Sequence, residues 1–179
     1  EYSHGIEQLG IFTAPTSFLK FGGTLMQALV QSAAPRFGKY FFEDERTKFF
    51  KLLLQVIAIG VVLGLFGILL TVYIGKPVIT LLFGPEYYMG DVFLLVAVAG
   101  LVQFAFSLGN AITAARYVKS QVPFQLAIAL GTLLACAALI PTYGLVGAAV
   151  ALIIGNAVRA LVYSGVLLHL YQTWHDRVS

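Results

Sequence analysis

Six polar side chains share one stripe of an otherwise apolar segment. Thr13, Ser17, Lys20, Thr24, Gln27 and Gln31 follow one another at spacings of 4, 3, 4, 3 and 4 residues, the repeat that stacks side chains on one face of an α-helix. The positions between them are mostly Leu, Phe, Ala and Val. An ammonium flanked by hydroxyls and amides is suited to an anionic partner or a water-filled cavity, and not to lipid. Nearer the C-terminus, Asn156, Arg159 and Tyr163 share a face at i, i+3 and i+7, and Gln103, Ser107 and Asn110 do the same upstream of them. The candidate substrate-binding residues are therefore Lys20, Ser17, Thr24, Gln27, Gln31, Arg159 and Asn156. A structural role competes with each: a cation tied to backbone carbonyls, an arginine reaching for the interface, amides joining helices.

Depth makes Lys20 demanding. It lies about 16 Å along its helix at 1.5 Å per residue, too far in for a side chain of about 6 Å to reach either interface easily. Insertion of a lysine at a helix centre costs about 2.5–3.5 kcal/mol. All eight acidic residues fall in the N-terminal segment, the loops or the tail, so neither Lys20 nor Arg159 has a salt-bridge partner at membrane depth within the chain.

Bond-breaking chemistry has little to work with. His4, His169 and His175 are terminal or interfacial, and the sequence has no HExxH, no paired cysteines and no GxSxG. "KFGG" lacks the spacing and preceding strand of a phosphate loop. No nucleophile, metal site, nucleotide motif or cofactor site is expected, and the protein is read as a non-enzyme.

The composition states where such a stripe must operate. Of 179 residues, 59% are hydrophobic and 11% charged, with a mean hydropathy of +0.89, far from an ordinary soluble domain. The net charge of +3 raises nucleic acid as a partner, but the basic residues gather at the ends of apolar blocks, as those that face a bilayer do. The single Cys136 sits in an apolar block and cannot form an intrachain disulfide. The chain begins without Met, and "EYSHGIEQLG" has neither the basic start nor the apolar run of a secretory signal, which leaves processing, truncation or membership of a longer chain open.

Five transmembrane helices are predicted, at 9–34, 52–74, 92–115, 122–141 and 146–169, in an all-α integral membrane protein. Continuous Leu- and Ala-rich runs favour helices over the alternating strands of a barrel. The breaks are "PRFGKYFFEDERTKFFK" (35–51), "GKPVITLLFGPEYYMGD" (75–91), "RYVKSQ" (116–121) and "PTYG" (141–144). Arg36, Lys39, Arg46, Lys48, Lys51, Arg116, Lys119 and Arg177 fall on one side and only Lys76 on the other, which puts the N-terminus outside and the C-terminus in the cytoplasm. Tyr87, Tyr88 and Tyr143 outside, and Tyr40, Tyr117, Tyr171 and Trp174 inside, read as interfacial anchors. Gly147, Ala151 and Gly155 form a small-residue seam suited to close packing.

"LGIFTAPTSFLKFGGTLMQALVQSAAPRFGKYF", a charged loop before a long span, "LLFGPEY" and "IPTYGLVGAAVALIIGNAV" occur in an order that resembles the C-terminal half of polysaccharide biosynthesis proteins. These are the Wzx-type lipid-linked oligosaccharide flippases of the multidrug/oligosaccharidyl-lipid/polysaccharide exporter superfamily. The resemblance covers nearly all of the chain and rests on the spacing of "LFGPEY" and "IPTYGLVGAA". It implies part of one lobe of a two-lobe transporter with twelve or more helices, whose N-terminal helices lie outside this sequence, working by alternating access in the plasma membrane. The implied partner is a polyprenyl-pyrophosphate-linked oligosaccharide for polysaccharide such as O-antigen. The second helix of a lobe helps line the cavity in that family, and the segment bearing Lys20 holds that place. A multidrug or cation antiporter of the same superfamily is the nearest alternative, although it would want an intramembrane carboxylate. A non-transporting membrane subunit or remnant, with the stripes used only for packing, is the third.

Overall fold

The computed structural model describes residues 2–82, 84, 89–105, 118–172 and 174. All the regular structure in them is α-helical: α1 (Tyr2–Phe42), α2 (Arg46–Leu82), α3 (Gly90–Ala105) and α4 (Val118–Gln172). Two stretches, Arg46–Leu81 and Gln125–Gln172, are long and apolar enough to cross a membrane, while Gly90–Ala105 is shorter and α1, which carries the polar stripe, does not reach the same hydropathy. Ser107, Asn110, Arg116, Tyr117, Tyr87, Tyr88, Arg177 and the end of the 92–115 span lie outside the described residues.

The last two predicted spans are the two arms of α4. The backbone breaks at Gly144, with φ 55° and ψ −128°, a conformation open to glycine because it has no Cβ to clash. The arms then fold back on each other in register. A Cβ at Gly147 would strike the Leu139 carbonyl, one at Gly155 would strike Thr132, and Gln125 Nε2 donates to Tyr163 Oη at 2.9 Å. Gly147, fully buried Ala151 and Gly155 are thus the close-packing seam expected of them.

A second glycine seam joins α2 to α3. At Gly60 a Cβ would meet the Phe104 carbonyl, and at Gly64 it would lie 2.6 Å from Leu101 Cα. This GxxxG spacing brings the two backbones into contact, as small residues do where helices pack closely. α3 also packs against α1 and α4.

The stretch 35–51 differs from its reading as a loop. α1 runs through Pro35 to Phe42, only Glu43, Asp44 and Glu45 turn the chain, and α2 starts at Arg46. The helix end closes with Glu43 N–H donating to the Lys39 carbonyl and Glu45 N–H to that of Tyr40, each at 2.9 Å. Asp44 takes a positive φ of 55°, which a short polar side chain tolerates better than most.

Trp174 departs from its expected role as an interfacial anchor. It is 1% exposed, with ring centroids 5.3 Å from Phe41 and 5.4 Å from Phe49, and its indole N–H donates to Asp44 Oδ1. Arg46 completes the corner, lying 3.8 Å over the Tyr171 ring and donating to the Tyr171 carbonyl at 3.1 Å. Tyr40, another expected anchor, is half-buried against the same core. The α1–α2 corner and the C-terminal end, about 130 residues apart, therefore meet in one aromatic cluster.

Candidate functional site

α1 has two unlike faces. Met26, Val30, Ala33 and Phe37 are buried, in one core with Phe104, Tyr163, Val166 and Leu170. Leu19 packs with Val92, Val96 and Ala149 in another. Between them, Gly22 and Gly23 let α3 come close: a Cβ at Gly22 would lie 2.6 Å from Phe104 Cζ, and one at Gly23 would lie 3.2 Å from Gln103 Nε2. The "FGG" of the sequence thus seats the back of α1 and is no phosphate cradle.

The front face carries the stripe. Thr13, Ser17, Lys20, Thr24, Gln27 and Gln31 are all exposed, because at 100° per residue Lys20 lies nearly opposite Gly22. Two of the hydroxyls are engaged with their own helix: Ser17 Oγ donates to the Thr13 carbonyl at 2.8 Å, and Thr24 Oγ1 to the Lys20 carbonyl at 3.0 Å. Each spends its one proton there and keeps its acceptor lone pairs. The Lys20 ammonium makes no ion pair among the described residues. The stripe therefore offers donors at Lys20, Gln27 and Gln31 and acceptors at Ser17 and Thr24.

Beside the stripe, Phe18, Phe21 and Leu25 form the α1 wall of an apolar groove of about 300 Å³ shared with α2 and α3. Phe21 is 68% exposed, so a charged edge and an apolar edge run side by side along one helix.

Asn156 and Arg159 do not join this face. Asn156 is buried, and its Nδ2 donates to the Ala99 carbonyl at 3.1 Å, fastening α4 to α3. Arg159 lies in a groove of about 390 Å³ between the arms of α4, with Gln125, Thr132 and Cys136 opposite it. Its Nε is buried and has no hydrogen-bond partner among the described residues. The face expected to hold Asn156, Arg159 and Tyr163 together is divided: Asn156 bonds α3, while Tyr163 and Arg159 meet the first arm. Gln103 stays at the back of α1, against Gly23. The groove between the arms escapes sequence reasoning because nothing in the spacing of 125–136 marks it.

No family model matches the chain, and no solved structure matches it. It is similar to the capsular polysaccharide biosynthesis protein CapF of Staphylococcus aureus, 29% identical over 158 residues, which are 87% of this chain and 40% of CapF. The chain thus spans about two fifths of the length of that relative.

Proposed function

We propose that this chain is part of a membrane translocator that moves a polyprenyl-pyrophosphate-linked oligosaccharide from the cytoplasmic to the outer leaflet during polysaccharide biosynthesis. The observation that carries the proposal is the open face of α1: a lysine with no described ion pair in the middle of an apolar helix, aligned with two free amides. Lipid does not cover such a face without a large penalty, so it borders water or other protein. The similarity to a capsular polysaccharide biosynthesis protein over most of the chain supports the choice of cargo.

In this reading Lys20 neutralises pyrophosphate charge, and Gln27 and Gln31 donate hydrogen bonds to phosphate oxygens. Ser17 and Thr24, whose protons are committed to the helix backbone, accept from sugar hydroxyls. No covalent bond changes, so the step is binding and release at a site that opens alternately to either side. Further helices of the same transporter form the wall facing α1, the N-terminus of the chain lies outside and its C-terminus in the cytoplasm.

The test is made in the full-length protein. Lys20→Ala abolishes surface polysaccharide at unchanged protein abundance, and Lys20→Arg keeps most of it because charge is the property required. Wild-type polysaccharide from well-expressed Lys20→Ala would overturn the reading.

A further inference from the structure

We infer that the groove between the two arms of α4 is a second phosphate-binding site, built on Arg159 and separate from the open face of α1. The arms are locked on both sides of Arg159. Gln125 bonds Tyr163 at 2.9 Å, and Thr132 abuts Gly155. Their register places Arg159 across from Ile128 and Ala129, midway between the two locks. The groove is an open cleft of about 390 Å³.

Arg159 lines this groove, and its Nε is buried with no hydrogen-bond partner among the described residues. Buried donors of this kind are almost always satisfied, and a charged one most of all. Arg159 makes no ion pair among the described residues, and no Asp or Glu occurs from residue 92 to residue 175. The two terminal Nη groups of the guanidinium form a planar fork that can grip two oxygens of a phosphate. Gln125 uses one amide N–H on Tyr163, which leaves the other as a further donor in the same groove. The groove is lined on the first arm by uncharged residues, so nothing there repels an anion. The shared chemistry is a phosphate ester, whether it arrives on an anionic lipid headgroup or as a soluble phosphate.

Cys136, the single cysteine of the sequence, lines the same groove and reports its occupancy. The whole protein in a nonionic detergent is exposed to a maleimide, and alkylation at Cys136 is followed by peptide mass spectrometry. Phosphatidylglycerol is expected to slow alkylation several-fold relative to a diacylglycerol of the same acyl chains, which carries no phosphate. Arg159→Gln, shown to retain its helical circular dichroism, removes that protection, and Arg159→Lys retains part of it. Lys20→Gln leaves the protection intact, so the result stands or falls independently of the function proposed above. Protection by inorganic pyrophosphate as well identifies the phosphate alone as sufficient, whereas protection by phosphatidylglycerol only identifies a lipid headgroup. Equal alkylation rates in the two lipids, a comparison that needs no variant, would overturn the inference. So would full protection in folded Arg159→Gln.

Discussion

Removing the Trp174 side chain should open the corner between α1 and α2. The indole is 1% exposed, so Trp174→Ala leaves a cavity among Phe41, Phe49 and Phe50, whose rings lie 5.3, 5.4 and 6.0 Å away. A buried Trp→Ala change costs about 3–5 kcal/mol. Trp174→Phe keeps most of the ring contact and loses the N–H donated to Asp44. Hydrogen bonds to charged groups are worth about 1.5–3 kcal/mol, but Asp44 is exposed and water can replace the donor, so about 1 kcal/mol is the expected loss. The contact ties the C-terminal end to the corner, so the effect is local opening and not global unfolding. Limited trypsin digestion reads it directly, because Lys39, Arg46 and Lys48 flank the turn. The rate of cleavage there follows the population of the opened state when reclosing is fast. At about 1.4 kcal/mol per factor of ten, Trp174→Ala should speed cleavage by at least a hundred-fold and Trp174→Phe by less than ten-fold. Equal cleavage of Trp174→Ala and the native chain would refute the docking of the C-terminal end on this corner. A cycle of Trp174→Phe with Asp44→Ala, which removes the accepting oxygen, isolates the hydrogen bond, and additivity of the two changes would refute that part.

Other expectations follow from the packing. Gly60→Ala drives a methyl into the Phe104 carbonyl and should cost about 1–3 kcal/mol in detergent unfolding, whereas Gly67→Ala, with nothing within 4 Å of the new Cβ, should be neutral or slightly stabilising. Asn156→Ala removes the bond to the Ala99 carbonyl and should cost about 0.6–1.7 kcal/mol, the range of side-chain hydrogen bonds between membrane helices. On α1 of the full-length protein, with Cys136 replaced by alanine, Gln27→Cys should react with a membrane-impermeant maleimide many times faster than Met26→Cys, whose position is 1% exposed. Equal rates would mean that the front of α1 meets lipid or closed protein and not a watery cavity.

The stripe on α1 is legible in the sequence because helical periodicity alone puts Thr13 to Gln31 on one face. The hairpin of α4 is legible as well, since Pro141 and Gly144 mark its turn and Gly147, Ala151 and Gly155 its contact surface. The α1–α2 corner is not. Pro35 and the charges after it look like a loop, yet a proline interrupts only one backbone hydrogen bond, and neighbouring groups can support the helix through it. The acids Glu43 to Glu45 occupy only the turn itself. Trp174 misleads for a different reason: a tryptophan near the end of an apolar block has the same local signature at an interface as in a core. Its burial depends on Phe41, Phe49 and Asp44, about 130 residues away.

Lys20 and Arg159 look alike as sequence, each a cation on an apolar helix without an acid at its depth, and the fold gives them different surroundings. The difference lies in how many neighbours each helix has. α1 is packed on its back only, so residues that share its front remain together as a stripe. The second arm of α4 touches α3 on one side and the first arm on another. Asn156 and Arg159, three residues apart, differ by about 60° around the helix, enough for one to reach Ala99 and the other to face Gln125 and Cys136. Spacing of i and i+3 therefore predicts a common surface only where a single neighbour, or none, covers that side. For α1 the condition holds and the periodicity defines a site, whereas for the second arm it fails and the same periodicity defines one packing contact and one separate cationic groove.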